Sequence, residues 1–193
     1  MALFNYENLK SYTPLTESYD YIAKYKSKNA SNIYVSDYDN FDIFLSHSYA
    51  DKEIIPALKK ELERMGYTVY VDWITDKLLS RDEVTKETAK VLQKRMQQSK
   101  CLFFATSENS PSSKWMPWEL GYFDGIKNKR VAVLPISTNN NSFSEYFKGQ
   151  EYLGLYCWVL KDKKGYSVDD LFIRCETYGA KVYIQDWLGG TSR

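Results

Sequence analysis

The chain has 193 residues, and its 26 Lys and Arg against 25 Asp and Glu give a formal net charge of +1 at pH 7. This length suffices for one domain with a sizeable hydrophobic core. The charges are interspersed and nearly balanced, so no basic face is available for phosphates and a nucleic-acid partner is not expected. The sequence has no apolar run of about 18 residues to span a membrane and no apolar core of a secretory signal, so a membrane partner is not expected either.

The cysteines and the single histidine narrow the chemistry further. Cys101, Cys157 and Cys175 are far apart and odd in number, which fits a reducing, cytoplasmic location rather than a disulfide scaffold. With His47 as the one histidine and no C-x-x-C pair, a metal site is not predicted. The sequence also lacks the glycine-rich phosphate loops of P-loop and Rossmann proteins and the G-x-S-x-G turn of serine hydrolases.

The first part of the chain differs in composition from the rest. Residues 1–39 are polar and rich in tyrosine, with one predicted helix near residues 16–26. We interpret them as an N-terminal extension that packs on a single domain formed by residues 40–193.

Strands and helices alternate along that domain. The predicted strands are residues 41–46, 67–71, 100–106, 130–136 and 156–160, with a weaker one at 171–176. The predicted helices are residues 54–65, 84–99, 115–127 and a closing helix at 181–188. Helices of this length between strands imply βαβ crossovers. We therefore predict an α/β fold with an open, mostly parallel five-stranded sheet and helices on both faces.

The segment SSKWMPWELGYFDG contains the most informative pair of residues. Trp115 and Glu119 are four residues apart, so they lie on one face of the predicted helix. That helix follows the strand at 100–106, which places the pair at the carboxyl edge of the sheet, where open α/β sheets bind ligands. An indole beside one carboxylate suits a cationic, glycosidic substrate. The alternative is a core tryptophan and a solvated charge.

Three motifs, in this order, resemble the Toll/interleukin receptor (TIR) domain family over about residues 41–136. FDIFLSHSYADKE is similar to the opening strand and Ser–His turn of the family. GYTVYVDW resembles the second strand where it runs into a mobile loop. WMPWEL resembles the W-x-x-x-E that carries the catalytic glutamate in TIR proteins that consume NAD. The resemblance implies a flavodoxin-like sheet and a catalytic role for Glu119.

The resemblance also implies a substrate site around Glu119, built from pocket walls, donors for ribose or phosphate, and the start of a closing loop. The implied substrate-binding residues are Ser46, His47, Ser48, Asp72, Trp73, Trp115 and Trp118. For several of them a structural role is the alternative: a hydrogen-bonding turn residue for His47, a loop cap for Asp72, and core packing for Trp73 and Trp118.

One carboxylate is chemically sufficient for such a substrate. Ordinary glycosidases need a second carboxyl group to protonate the departing oxygen. The nicotinamide of NAD is already cationic and leaves as a neutral ring, so what needs stabilising is the positive charge that develops on the ribose carbon. A preorganised anion at Glu119 stabilises that charge where it forms. NAD is then the substrate, and no separate cofactor is implied.

The resemblance therefore implies an NAD glycohydrolase or ADP-ribosyl cyclase, similar to the signal-producing TIR subunits of Thoeris-type antiphage systems. The product would be ADP-ribose, or a cyclic or conjugated form that reaches a separate effector as a messenger. Self-association through TIR–TIR contacts is also implied. Two alternatives stay open: a non-catalytic TIR adaptor, and a nucleoside deoxyribosyltransferase-like enzyme, which also uses a glutamate against a sugar carbon.

Overall fold

The structure is a computed structural model, and it describes residues 3–12, 39–76, 85–138, 150–164, 168–175, 179 and 181–189. The predicted helix near residues 16–26 lies outside the described residues, as does most of the predicted N-terminal extension.

The described residues form one sheet with helices on both sides. Its strands are β1 (Phe4–Asn5), β2 (Phe41–Ser46), β3 (Val69–Tyr70), β4 (Ser99–Thr106), β5 (Val131–Ser137), β6 (Cys157–Lys164), β7 (Val168–Arg174) and β8 (Lys181–Tyr183). Its helices are α1 (Tyr6–Ser11), α2 (Ile55–Arg64), α3 (Asp72–Thr75), α4 (Lys86–Gln97), α5 (Trp115–Lys127) and α6 (Ile184–Gly189). No helix in these parts of the chain is long and apolar enough to cross a lipid bilayer.

The strand order confirms the predicted fold class. Strands β3, β2, β4, β5 and β6 are adjacent in that order and all parallel, which is the doubly wound arrangement predicted for five strands. The structure adds β7 and β8 as an antiparallel extension beyond β6, and β1 pairs in parallel with the end of β5. The prediction of a helix over residues 181–188 is therefore wrong in its first turn, because residues 181–183 pair with β7.

Successive side chains of each strand point to opposite faces of the sheet, and this divides the hydrophobic core into two layers. On β2, Ile43 and Leu45 pack in the cluster that contains α2 and α6, whereas Phe44 packs in the cluster that contains α4 and α5. Because side chains alternate between the faces of a strand, Ser46 lies on the same side as Phe44. The last residue of β2 therefore faces α5.

Two of the three cysteines are joined, contrary to the expectation of separate thiols. Cys157 and Cys175 form a disulfide with their Cα atoms 4.4 Å apart. The expectation is wrong because the antiparallel pairing of β6 with β7 brings together residues that are 18 positions apart in the chain. Burial raises the pKa of the remaining thiol, Cys101, so this cysteine is a protonated core side chain rather than a nucleophile.

Candidate active site

Helix α5 places a carboxylate on its buried face. Its buried residues are Met116, Glu119, Leu120 and Phe123, which is the spacing of a core-facing helical stripe. Glu119 is only 2% exposed. A carboxylate in such a position is costly to bury unless it is hydrogen-bonded, so its partners decide whether the arrangement is stable.

Ser46 provides a partner for this carboxylate. Its hydroxyl donates a hydrogen bond to Oε2 of Glu119 over 2.6 Å, and both side chains are buried. Ser46 ends β2, which has β3 on one side and β4 on the other, so the pair lies at the switch point of the sheet. Ligands bind at this point in open α/β folds. The structure thus brings together two of the predicted site residues, and the catalytic role of Glu119 stays a prediction.

His47 links the end of β2 to the start of α3. Its Nδ1 is 2.9 Å from the carbonyl oxygen of Leu45, and its Nε2 is 2.8 Å from the indole nitrogen of Trp73. A carbonyl can only accept and an indole N–H can only donate, so these partners assign a neutral ring with its proton on Nδ1. Oδ1 of Asp72 lies 3.9 Å from Nε2. His47, Asp72 and Trp73 therefore form a second group beside Ser46, and the predicted part of all three in substrate binding stays a prediction.

Ser48 has a structural role in the same turn. It caps the short 3-10 helix Tyr49–Asp51, and its Oγ accepts from the backbone N–H of Ala50 over 3.4 Å. Its predicted part in substrate binding stays a prediction.

The two tryptophans of α5 belong to an aromatic row along that helix. The rings of Trp115 and Trp118 meet edge to face at 5.3 Å, and Trp118 stacks on Tyr122 at 5.8 Å. The hydroxyl of Tyr122 accepts from the side chain of Gln97, so the row turns toward α4. Trp115 lies about 40° around the helix from Glu119 and Trp118 about 100°. Of the two, Trp115 is the better placed for the predicted pocket wall, and both roles stay predictions.

A partly buried ion pair holds the end of α3. Arg95 on α4 donates from Nε to Oδ2 of Asp76 over 2.8 Å and from Nη2 to Oδ1 over 3.0 Å. Oδ2 also accepts from the hydroxyl of Tyr70. Burial raises the pKa of Tyr70 well above its ordinary value, and the charge of Asp76 adds to the shift. This network fixes the short helix that carries Asp72 and Trp73 against the rest of the fold.

Asp51 is a site-edge residue that sequence reasoning missed. Its buried carboxylate accepts from the hydroxyl of Ser107 over 2.5 Å and from the side-chain amide of Asn109 over 2.6 Å. It thus joins the turn after β2 to the loop after β4. An aspartate in a polar turn gives no sequence signal for contacts that lie 56 and 58 residues away.

Thr106 is a second missed residue. It ends β4, two residues beyond Phe104, which pairs with Ser46, so its side chain also faces α5. Within the described parts of the chain, its buried Oγ1 has no hydrogen-bond partner. A buried hydroxyl in this state is available to a ligand that can reach it, and no sequence pattern distinguishes it from any other strand threonine.

A groove of about 480 Å³ lies on the other side of the sheet, between α1, α2 and β6. Its charged lining includes Lys60, Arg64 and the ion pair of Lys161 with Glu61. Because α2 packs on the face opposite to α5, this groove is separate from the Ser46–Glu119 pair.

A family model matches this chain, and two known proteins resemble it. Residues 43–166 match a family model described as a TIR domain. The chain is 51% identical over 166 residues to a Bacillus cereus (strain MSX-D12) protein named "Probable 3' cyclic ADP-D-ribose synthase ThsB'", covering 83% of this chain and 84% of that protein. It is also 36% identical over 111 residues to TIR2 of Cytobacillus dafuensis, a candidate cyclic ADP-D-ribose synthase, covering 57% of this chain and 27% of that protein.

Proposed function

Because the chain belongs to the TIR domain family, we propose that it is an enzyme that cleaves the nicotinamide–ribose bond of NAD and forms a cyclic ADP-ribose. The observation that carries this proposal is the buried carboxylate of Glu119, bonded to Ser46 at the switch point of the sheet. A charged side chain on the core-facing side of a helix has no packing advantage over leucine. A buried carboxylate at the edge of the sheet where open α/β folds bind ligands therefore supports a catalytic role for Glu119.

The reaction needs a stabilised positive charge rather than a proton donor. When the bond between C1′ of the ribose and the nicotinamide nitrogen breaks, its electron pair stays on the nitrogen and the ring leaves uncharged. C1′ becomes oxocarbenium-like, and the carboxylate of Glu119 stabilises it electrostatically. A hydroxyl of the same molecule then forms the new C1′–O bond and releases its proton to water. Attack by water instead gives linear ADP-ribose, which is the hydrolase outcome.

The expected product is 3′ cyclic ADP-D-ribose. The support is the 51% identity, over most of both chains, to the Bacillus cereus protein named for that product. In our proposal the product serves as a messenger in bacterial antiphage defence of the Thoeris type, acting on a separate effector. Self-association through TIR–TIR contacts and a cytoplasmic location belong to the same proposal, since a messenger made from NAD needs access to the cellular NAD pool.

The test compares the wild-type chain with Glu119→Gln and a matched control. Glutamine keeps the shape of the side chain and can still accept from Ser46, so the substitution removes mainly the charge. Glu108→Gln makes the same change at an exposed carboxylate at the same edge of the sheet, where Thr138 donates to it. The loss of one such electrostatic contact lowers kcat by about 10²–10³-fold. We expect this loss for Glu119→Gln and no loss for Glu108→Gln, with nicotinamide release followed by chromatography and the cyclic product by mass spectrometry.

Two other outcomes would decide against the proposal. Equal background release from wild type and Glu119→Gln, also with crowding agents or an activating cell extract, would favour the non-catalytic adaptor. Turnover of deoxynucleosides but not of NAD in the same assay would favour a deoxyribosyltransferase-like enzyme.

A further inference from the structure

We propose that Asp51 is a positioning residue for Glu119, which it holds in register with Ser46 by tying together the two chain segments on which they lie. This inference rests on the proposed function and concerns the same site. Asp51 does not touch the Ser46–Glu119 pair in the contacts that the structure describes. It acts through Ser107 and Asn109.

The three side chains form a closed and directional set of hydrogen bonds. The backbone N–H of Asn109 donates to Oγ of Ser107 over 3.1 Å, so the Ser107 proton is directed elsewhere, to Oδ2 of Asp51. The side-chain amide of Asn109 donates to Oδ1 of Asp51. Both of these partners donate, so position 51 needs two acceptor oxygens, which a carboxylate provides and an amide does not.

The network joins the same two segments as the catalytic pair. Asp51 is in the turn that directly follows Ser46, and its backbone N–H and C=O are fixed in that turn by Ser48 and Ile54. Ser107 and Asn109 belong to the loop that leads into α5 and therefore to Glu119. Among the side-chain hydrogen bonds that the structure describes, two links therefore join these segments: the 2.6 Å bond of Ser46 to Glu119 and the bonds of the Asp51 carboxylate to Ser107 and Asn109.

The hydrogen bonds of Asp51 to Ser107 and Asn109 are shielded from water, so they restrict the relative movement of the two segments. Asp51 is 1% exposed, and its two side-chain donors are partly buried. A catalytic group must be held within about 0.5 Å of its productive position by surrounding contacts. A misplacement of about 1 Å costs on the order of 10²-fold in rate. Weakening the hydrogen bonds of Asp51 should therefore misplace Glu119 and lower kcat, with a smaller effect on the binding of NAD.

The test exchanges the carboxylate of Asp51 with the side-chain amide of Asn109. Asp51→Asn introduces an N–H₂ where an acceptor is needed, and Asn109→Asp places two carboxylates against each other. In the double variant Asp51→Asn/Asn109→Asp, the amide at position 51 donates to the new carboxylate, and its carbonyl oxygen still accepts from Ser107. We expect kcat to fall about 10–100-fold in each single variant, with KM changed less than about 3-fold, and to return to within about 3-fold of wild type in the double variant.

Asp170→Asn is the matched structural control. Asp170 is also a buried aspartate, and its Oδ1 accepts from the hydroxyl of Tyr67 and the backbone N–H of Leu171 on β7. Its substitution should lower stability without lowering kcat. Amide hydrogen exchange provides a readout that does not depend on turnover: exchange over residues 107–119 should rise in Asp51→Asn and not in Asp170→Asn.

The outcomes separate this inference from the proposed function. Wild-type activity and its loss in Glu119→Gln report on the function, whereas the Asp51 variants report on positioning. An unchanged kcat in folded Asp51→Asn, a double variant no better than Asn109→Asp alone, or unchanged exchange over residues 107–119 would each overturn the positioning role.

Discussion

Removing the hydroxyl of Ser46 should destabilise the protein and slow the reaction together. Ser46→Ala deletes the donor of a buried bond to Glu119, while the apolar surroundings on α5 stay in place. Hydrogen bonds to charged groups contribute about 1.5–3 kcal/mol, and the 2.6 Å oxygen–oxygen distance is that of a charge-assisted bond. We therefore expect a loss of about 2 kcal/mol, which in a chain of this size lowers Tm by roughly 4–8 °C.

A double-mutant cycle isolates the charge-dependent part of this loss. In the Glu119→Gln background the bond becomes neutral and contributes about 1 kcal/mol, so Ser46→Ala should cost less there than in the wild type. Urea unfolding of the four proteins measures the free energies, and nicotinamide release measures kcat of the two proteins that keep Glu119. A cost of Ser46→Ala below about 0.5 kcal/mol in both backgrounds would refute the reasoning, since a buried bond to a charged group is worth more.

Three further changes test other parts of the structure. Thr106→Val removes a buried hydroxyl that has no hydrogen-bond partner in the described parts of the chain, so we expect a gain of about 1 kcal/mol in urea unfolding; a clear loss of stability would mean that the hydroxyl is bonded. Reduction of Cys157–Cys175, which are 18 residues apart, should cost about 3 kcal/mol in thermal unfolding, and the double serine variant should show no effect of reductant. Arg95→Met leaves the partly buried Asp76 without its cation, so we expect a loss of about 2–3 kcal/mol in urea unfolding, below the roughly 3–5 kcal/mol of a fully buried pair; a cost under about 1 kcal/mol would show that the pair is solvated.

Much of the fold could be predicted because its signals are local. Each parallel strand is a short apolar run between segments with a helical period, and its length and its content of β-branched and aromatic residues distinguish it from a buried helix. The antiparallel edge was harder to predict. Residues 181–183 continue directly into α6, and only their pairing with β7, which no local pattern shows, makes them a strand. The disulfide was missed for the same reason, since it depends on the register of β6 against β7.

Candidate site residues could be named from the sequence where a local pattern or a family motif marked them. Glu119 lies in the apolar stripe of α5, and its spacing from Trp115 draws attention to it, whereas Ser46, which ends an apolar strand, is implied by the resemblance to the TIR family; both could thus be named from the sequence. Asp51 and Thr106 could not. Aspartate is common in polar turns and threonine is common in strands. Their importance comes from partners, or from the lack of one, that become visible only when distant segments meet.

The placement of Glu119 also bears on the balance between stability and function. Its neighbours on the buried face of α5 are Met116, Leu120 and Phe123, so an apolar residue at this position would extend the core at no cost in desolvation. The carboxylate instead requires a donor at Ser46 and a loop held by Asp51 to keep the two segments together. Such a set of buried polar contacts does not improve packing, and replacing both partners of a buried hydrogen bond by apolar groups of the same shape can be nearly neutral or stabilising. The contacts are understandable if the anion must be present, oriented and shielded from water before a positive charge develops beside it, which is the requirement of electrostatic catalysis at a ribose carbon.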